Sequence, residues 1–542
     1  MPTLFRCVVL GSFVWAGCAA GVAVAADPSP GKPAEKDWDP FPKTKILPDR
    51  YKLWHEEAAK GPHMKVVAAT FFGGKGYEEF VAAGELADGT LVAIGNAWGP
   101  EFPVVPPSAV LGKGVHQGLK PDRDEKGRLV PVNDDPDCAG FWVLYEPGLK
   151  AIKKVVKFDW GVAQVRTGAV APDGKSLVLT GRATPAFRAL TEKAGPGQVQ
   201  REPSSGGADV YVVKLDAATG TFAWAWIFEG AAAAPANLWL DKAGGVYFDL
   251  KGLRRIAADG KEVKLVNAKT GKWLGIDLED GGAYFGGDRN THTRREPWRQ
   301  PYLYKYSATG ERLWKLWEFD PKDMGSDHAG LEADSSVRDV DTMSNGNLVV
   351  AGWSDGANSV FWKQATDWKR NCPLGGFLWP WYPSGANSLG HLTVVNPKTL
   401  ETILHSWWCA VLPSTNAKAN RIKTARISRA TVLRGDAVAF TGSAGTGLIQ
   451  TPNSFWKPSG TNYDYGGETL GVWDKEFKNL MFSSYLPGCE NVRVFATKKG
   501  LLCVSRSGGT DGKEPPTPSP SLKTLQPFGG ATDGNIICLE TP

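Results

Sequence analysis

The sequence predicts an all-β fold: a seven-bladed β-propeller of four-stranded blades, closed by the N-terminal strand, with long insertions on one face. Three observations predict it. The chain of 542 residues contains 64 Gly and 38 Pro but only 5 Met, a composition that favours turns over helices. A strand–turn–strand unit recurs seven times. A single strand near the N-terminus matches the strand that the seventh unit lacks.

The first segment has the features of a secretory signal peptide. Arg6 is its only charge, and its apolar run ends in the small residues 24–26. We assign residues 1–26 to this signal and expect a secreted, periplasmic or cell-envelope protein. A lipoprotein box ending at Cys18 is the alternative, and it is disfavoured because Trp15 stands three positions before the Cys. No later stretch is long and apolar enough to predict a transmembrane segment.

Residues 27–62 are Pro-rich and charged, so we expect a linker or an arm that lies on the domain. Residues 63–542 form the predicted propeller, in which an alternating strand leads through a Gly-containing turn into a second strand. Asp-Gly, Asn-Gly and Gly-Gly turns are strong hairpin signals. The seven strand–turn–strand units are at residues 80–95, 165–181, 236–252, 273–287, 337–352, 427–442 and 492–505.

A second hairpin follows each unit, as in residues 207–228, GADVYVVKLDAATGTFAWAWIF, so that each predicted blade has four strands. The seventh unit starts this hairpin at residues 533–540 but lacks the last strand. Residues 63–74 can supply it, which would remove an exposed sheet edge. We therefore predict that Met64–Phe71 pairs with Asn535–Leu539.

Two resemblances to known families support this fold. The segments FFGGKGYEEFVAAGELADGTLVAIGNAWG and SGGADVYVVKLDAATG resemble secreted bacterial β-propeller (SBBP) repeats, in a degenerate form that covers residues 63–542. The segment KLDAATGTFAWAW is also similar to the Asp-x-x-Thr-Gly-x-x-x-Trp turn of quinoprotein (PQQ-type) propellers, and YSATGERLW is a partial copy. The resemblances imply a propeller and a secreted protein, and they transfer no catalytic residue.

The longest connections lie between the second and third strands of the units, which places them on one face, the insertion face. Long loops on a rigid scaffold are where binding usually resides, although such loops can also merely cover the blades. These insertions are residues 96–138, 182–207, 288–300, 353–390, 443–465 and 506–532.

Aromatic residues are concentrated in these insertions. Aromatic rings stack on sugars or anchor protein partners, but they also pack long loops onto a core. We expect the aromatic loops to contribute more to binding than charged residues, with Trp379 and Trp381 as the first pair to test. The candidate ligand-binding aromatic residues are Trp298, Trp362, Trp379, Trp381, Tyr382 and Trp456.

A second candidate is the mouth of the central channel. If they point inward, four arginines near the starts of first strands form a cationic ring suited to carboxylate or sulfate groups. The alternative is that they pair with acidic residues at similar positions, such as Glu79 and Asp339. The four candidates are Arg166, Arg338, Arg426 and Arg493.

The cysteines and histidines predict one disulfide and no metal site. Six cysteines lie outside the signal segment, and we expect a disulfide between Cys372 and Cys409, which both fall on the insertion face of the fifth unit. No His or Cys spacing predicts a metal site, and no motif predicts a cofactor or a phosphate-binding loop. The net charge of +5 without a dense basic run argues against a nucleic-acid partner.

We therefore expect a secreted, non-catalytic propeller that binds a protein or polysaccharide partner outside the cytoplasm through its aromatic-rich insertion face. The alternative is an enzyme on the same scaffold, either a carbohydrate-active hydrolase or lyase or a quinoprotein-like dehydrogenase. Inward carboxylates without ion-pair partners would favour the enzyme. Exposed aromatic residues together with paired carboxylates would favour binding.

Overall fold

The structure is a computed structural model, and it is nearly all-β in the residues that it describes. Its described part has 36 strands, the α-helix α1 (Pro185–Lys193), a helical turn at residues 55–58, and two short 3-10 turns, at Pro147–Leu149 and Val360–Trp362. The described residues are 55–74, 76–98, 102, 108–115, 122–123, 129–130, 137–193, 198–200, 208–231, 233–290, 299–320, 331, 333–356, 359–375, 388–411, 422–423, 425–445, 447–455, 467–486, 488–508 and 532–542.

The strands follow in chain order: β1 (Lys65–Phe72), β2 (Tyr77–Glu85), β3 (Leu91–Trp98), β4 (Ser108–Leu111), β5 (Asp122–Arg123), β6 (Leu129–Val130), β7 (Cys138–Tyr145), β8 (Ile152–Phe158), β9 (Ala163–Val170), β10 (Ser176–Ala183), β11 (Gln198–Gln200), β12 (Ala208–Asp216), β13 (Phe222–Ala231), β14 (Leu238–Leu240), β15 (Val246–Asp249), β16 (Leu253–Ile256), β17 (Val263–Asn267), β18 (Trp273–Ile276), β19 (Ala283–Asn290), β20 (Arg299–Tyr306), β21 (Arg312–Leu316), β22 (Ser335–Thr342), β23 (Leu348–Ser354), β24 (Lys363–Gln364), β25 (Asp367–Asn371), β26 (Leu389–Val395), β27 (Thr402–Trp408), β28 (Ala410–Val411), β29 (Ile422–Lys423), β30 (Ala425–Val432), β31 (Val438–Ala444), β32 (Gly467–Trp473), β33 (Leu480–Tyr485), β34 (Cys489–Ala496), β35 (Gly500–Gly508) and β36 (Thr532–Glu540).

Successive strands pair antiparallel in groups of four, which fits a β-propeller-like fold. Groups 1 and 7 are also joined by a single parallel pair, Tyr77 with Thr532. Two outer edges carry an extra parallel strand that the sequence did not predict, β4 on β8 and β11 on β13. In chain order, groups 1 to 7 are β2-β3-β7-β8, β9-β10-β12-β13, β14-β15-β16-β17, β18-β19-β20-β21, β22-β23-β26-β27, β30-β31-β32-β33 and β34-β35-β36-β1.

Strand β1 forms the outer strand of group 7. It pairs antiparallel with β36 from Lys65 opposite Glu540 to Phe72 opposite Gly534. This confirms the predicted pairing of the two strands. The pairing gives β36 a neighbour on both sides, because β35 lies along its other edge.

An apolar cluster fills the space between each pair of neighbouring groups. Between groups 1 and 2, for example, Ile94 and Trp142 pack against Leu179 and Tyr211, and all four side chains are buried. Similar clusters join each later pair, and one joins group 7 to group 1. Residues on both faces of each group are therefore apolar, because each face packs against a neighbouring group.

The first strands of the groups are irregular. The pairing register shifts within β2, β18, β22, β30 and β34. In β9 it shifts at Arg166, which is an extra residue relative to β10. Such a shift is a β-bulge, which bends the strand and changes the direction of its side chains. In β30 the bulge places the consecutive residues Ser428 and Arg429 on the same cavity.

Glycines of the second strands accommodate these bulges. A Cβ atom on Gly181 would lie 1.8 Å from the carbonyl oxygen of Gln164, and one on Gly442 would lie 1.8 Å from that of Arg426. A Cβ on Gly95 would meet a first-strand carbonyl oxygen at 2.0 Å. The glycines that end the first, second and sixth predicted units thus allow the close approach of two backbones.

The expected disulfide between Cys372 and Cys409 is wrong, because both are free thiols. The Sγ atom of Cys372 points at the carbonyl oxygen of Phe361, at 3.5 Å, whereas Cys409 is enclosed in the cluster between groups 5 and 6. Burial raises the pKa of both thiols to about 12, which keeps them protonated. None of the six cysteines of the described residues forms a disulfide, and all six are buried.

Removal of β1 should strongly destabilise the protein. A chain that begins at Gly73 loses the cover of β36 and the buried side chains Phe71 and Phe72, each of which contributes roughly 3–5 kcal/mol in typical cores. A chain that begins at His63 keeps β1 and is the matched control. Thermal melts of the two chains compare them, and equal melting temperatures would contradict a structural role for the β1–β36 pairing.

Gly442→Ala should lower the free energy of unfolding by about 3 kcal/mol or more, because its Cβ collides with a main-chain carbonyl. Gly435→Ala is the control, since Gly435 has no atom within 4 Å of its Cβ position and only its φ of +83° resists substitution. That conformational cost is roughly 1–2 kcal/mol. Urea denaturation measures both, and a smaller loss for Gly442→Ala than for Gly435→Ala would rule out the packing argument.

Candidate functional site

All seven first strands line one cavity of about 720 Å³, which lies between the groups. It continues into a smaller cavity of about 310 Å³, because Asn237, Leu274, Asp339 and Arg429 line both. We refer to the smaller cavity as the channel mouth. Its lining residues are Asn237, Lys272, Leu274, Arg338, Asp339, Trp353, Arg426, Ser428 and Arg429.

The four arginines proposed from the sequence lie on or beside these cavities. Arg338 and Arg426 line the channel mouth, and Arg493 lines the larger cavity. Arg166 is an exposed residue on β9, close enough to Arg493 for its charge to lower the pKa of that guanidinium. A bulge lies at or near each of them: Arg166 and Arg338 are the extra residues of their bulges, and Arg426 and Arg493 lie within two residues of one.

Two further cations at the channel mouth were missed from the sequence. Arg429 follows Arg426 by three positions, which an undisturbed strand would place on the opposite side. The bulge between Ile427 and Arg429 reverses this alternation. Lys272 precedes strand β18, so no strand pattern pointed to it; its Nζ donates a hydrogen bond to the carbonyl oxygen of Arg338 at 2.7 Å.

None of these six cations forms an ion pair with a carboxylate of the described residues. The nearby acids have other hydrogen-bond partners. Glu79 accepts from the side chain of Asn96 at 3.2 Å, and Asp339 accepts from the backbone N–H of Ala430 at 3.1 Å. The alternative that the arginines are neutralised by direct pairing therefore does not describe this part of the chain.

Trp353 holds two of the guanidinium groups in place. The guanidinium of Arg426 lies 4.3 Å from the centre of its ring, and that of Arg338 lies 5.3 Å away. Trp353 is only 7% exposed, so its ring is a fixed platform. Stacking on an aromatic face restrains a guanidinium while leaving its N–H edges free to donate hydrogen bonds.

The environment of the channel mouth disfavours its own positive charges. Burial lowers the pKa of Lys272 to about 8, and the charges of Arg338 and Arg429 act in the same direction. Burial also lowers the pKa of Arg493 to about 9, with Arg429 and Arg166 contributing. A bound anion would reverse these shifts, so the site has the electrostatics of an anion-binding site.

The structure describes only one of the six aromatic candidates for ligand binding, Trp362. Trp362 is 4% exposed and packs edge-on against Trp407 at 4.8 Å, within the cluster between groups 5 and 6. It therefore belongs to the core of the described structure. The other five candidates, Trp298, Trp379, Trp381, Tyr382 and Trp456, lie outside the described residues.

A buried hydrogen-bonded chain crosses group 5. The hydroxyl of Thr393 contacts Nδ1 of His405 at 2.8 Å, Nε2 of His405 contacts Nδ1 of His391 at 3.2 Å, and Nε2 of His391 contacts Oγ of Ser354 at 2.7 Å. Ser354 in turn donates to the carbonyl oxygen of Gly356 at 2.7 Å. One direction of donation satisfies every group when both rings are neutral. We interpret this chain as a structural element of the core.

The described residues contain no cluster of three or more His, Cys, Asp or Glu side chains that could hold a metal ion. No described helix has the length and apolar character needed to cross a membrane.

Acidification should destabilise the protein through the two buried histidines. Burial lowers the pKa of His405 to about 3 and that of His391 well below its usual 6.5. The unfolded chain therefore binds more protons below pH 6.5, and stability falls with decreasing pH by about 1.4 kcal/mol per pH unit for each histidine. Urea denaturation at pH 7 and pH 5 tests this against the double variant His391→Gln, His405→Gln. An undiminished pH dependence in that variant would assign the acid sensitivity to other groups.

Comparison with known proteins adds little to these observations. No family model matches the chain, and no curated protein matches it. Among solved structures, the chain is similar to the crystal structure of Chaetomium thermophilum Sqt1 at 8% identity and a TM-score of 0.36, and the alignment covers 88% of this chain and 98% of that one.

Proposed function

We propose that this chain is a secreted, seven-bladed β-propeller, closed by β1, that binds an anionic partner at the channel mouth. Three features support the ring. Seven groups of four strands follow one another, an apolar cluster joins each pair of neighbours including the seventh and the first, and seven first strands line one cavity. Each group is then one blade, and the pairing of β1 with β36 completes the seventh.

The unpaired cations at the channel mouth are the observation that carries the binding function. Like charges that share a cavity repel one another, and two of the mouth cations, Arg338 and Arg429, are also half-buried, whereas Lys272 and Arg426 are exposed. Here Lys272, Arg338, Arg426 and Arg429 share one cavity without a described ion-pair partner. A ligand that supplies negative charge would offset this repulsion, which gives the arrangement a physical reason.

The predicted location narrows the class of partner. The predicted signal peptide and the resemblance to secreted propellers both support a partner outside the cytoplasm. Acidic polysaccharides and acidic protein surfaces of the cell envelope carry the carboxylate, sulfate and phosphate groups that guanidinium forks recognise. The aromatic insertions, in this proposal, would extend the contact beyond the mouth.

Removing two of the mouth cations should strongly weaken retention on an anionic polymer. The mature chain from residue 27 is passed over dextran sulfate and neutral dextran at low ionic strength. Arg338→Gln with Arg426→Gln should lower retention on dextran sulfate at least tenfold, since two of four mouth cations are removed. Arg434→Gln removes an exposed charge from a turn outside the mouth and is the control.

A second variant pair, Trp379→Ala with Trp381→Ala, distinguishes the mouth from the aromatic loops. Under the proposal it leaves most retention intact. If it instead abolishes retention without changing the melting temperature, while the arginine pair has no effect, the aromatic insertion face is the binding site and the mouth is not.

One observation favours an enzyme as the second candidate. Burial and the charge of Glu490 raise the pKa of Glu468 to about 7, whereas Glu490 is ion-paired with Arg506. A carboxyl with a raised pKa near an ion-paired carboxylate is a combination that glycoside hydrolysis uses. Release of reducing ends from a polysaccharide, lost in Glu468→Gln with binding retained, would establish this candidate.

A further inference from the structure

Among the residues that the structure describes, the channel mouth carries an excess of two positive charges. Four cations line it, Lys272, Arg338, Arg426 and Arg429. One carboxylate, Asp339, lines it with them, and Asp288 is close enough to act on Lys272 and Arg338. Arg299 also acts on Arg338, but it is ion-paired with Asp334 at 3.5 Å. A monoanion would leave one of these charges uncompensated, whereas a dianion balances both.

The cations approach the cavity from different elements. Lys272 precedes β18 in group 4, Arg338 lies on β22 in group 5, and Arg426 and Arg429 lie on β30 in group 6. Both guanidiniums lie over the ring of Trp353, and Nε of Arg426 also donates a hydrogen bond to Oγ of Ser388 at 3.3 Å. A planar carboxylate offers two oxygens in one plane, while a tetrahedral oxyanion offers oxygens in several directions. Donors that converge from three groups suit the tetrahedral anion better.

The ligand that combines both requirements is a phosphate monoester, which carries close to two negative charges at neutral pH and three free oxygens. A sulfate monoester is tetrahedral but carries a single charge, and a uronate is neither tetrahedral nor doubly charged. The volume of about 310 Å³ leaves room for the group and the sugar unit that bears it.

The position of Asp339 limits how far such a group can enter. Asp339 and Arg429 line both the mouth and the larger cavity, so they stand where the two meet. The carboxylate repels an anion that moves beyond this point. The described lining of the larger cavity has three carboxylates, on Glu85, Asp339 and Asp341, and three cations, Arg429, Arg493 and Lys498, so it offers no net positive charge. The anionic group is therefore held better at the mouth, and the rest of the ligand extends over the insertion face.

We propose that the channel mouth recognises a phosphate monoester carried by a sugar, with Arg338 and Arg426 as the directional donors and Lys272 and Arg429 as the additional charges. This inference rests on the proposed function of the mouth as an anion-binding site. It adds the chemical class of the group that is bound.

Titration calorimetry of the chain from residue 27, at pH 7 and low ionic strength, tests the proposal with three matched sugars. Glucose 6-phosphate should bind at least tenfold more tightly than glucose 6-sulfate and glucuronate. Failure of all three sugars, and of inorganic phosphate, to bind would overturn the proposed function itself. Equal or tighter binding of glucuronate or of the sulfate would leave the anion site in place and overturn only the phosphate assignment. Tighter binding of a phosphoserine peptide than of glucose 6-phosphate would overturn the sugar as carrier.

Two variants connect the binding to the mouth. Arg426→Lys keeps the charge but loses the stacked fork, so it should weaken binding of glucose 6-phosphate at least tenfold. Ser428→Glu places a carboxylate in the mouth from an exposed position and should abolish binding. Arg434→Lys is the matched control and should bind normally. Unchanged binding in both mouth variants, with thermal melts confirming that they fold, would contradict the location.

The pH profile provides a further readout. The phosphate ester gains its second charge above about pH 6. Lys272, whose pKa lies at about 8 among Arg338, Arg429, Asp339 and Asp288, loses its charge above that value. Binding of glucose 6-phosphate should therefore be strongest between these limits and weaker at pH 5 and at pH 9.5. A profile that is flat across this range would contradict the proposed charge pairing.

Discussion

The contact between a bulged first strand and a glycine of its neighbour is the constraint on which the rest of the structure depends. The carbonyl oxygen of Gln164 occupies the space where Gly181 would carry a Cβ, and the same holds for Arg426 and Gly442. No other residue type permits this approach without moving the backbone. The bulge it permits directs consecutive first-strand side chains into the channel, so the site and the sheet geometry have one origin.

The packing between groups explains why charges can remain unpaired at the channel mouth. Each group is packed on both faces by apolar clusters, which fix the strands that carry the guanidinium groups. Trp353 adds a rigid platform beneath two of them. A site whose charges are held apart in advance loses little conformational entropy when a ligand brings the missing counter-charge.

The sequence predicted the hairpins well, because alternation and Asp-Gly or Asn-Gly turns are local signals, and the strand at residues 64–71 was predicted from the incomplete seventh unit. It predicted the site only in part. Arg429 was missed because a bulge breaks the two-residue alternation, and Lys272 because it precedes a strand. The parallel strands β4 and β11 depend on contacts distant in the chain. The pairing of Cys372 with Cys409 failed because face and unit do not determine where a side chain points.

The pairing of β1 with β36 has a consequence for the order in which the protein forms. Lys65 can pair only after Glu540 has been synthesised, so the seventh group cannot form until nearly the whole chain is present. Until then the segment KVVAATFF is an unpaired, β-prone and largely uncharged strand, which is a hazard for aggregation. The pairing of β1 with β36 closes a loop of nearly the whole described chain, so we expect group 7 to form late.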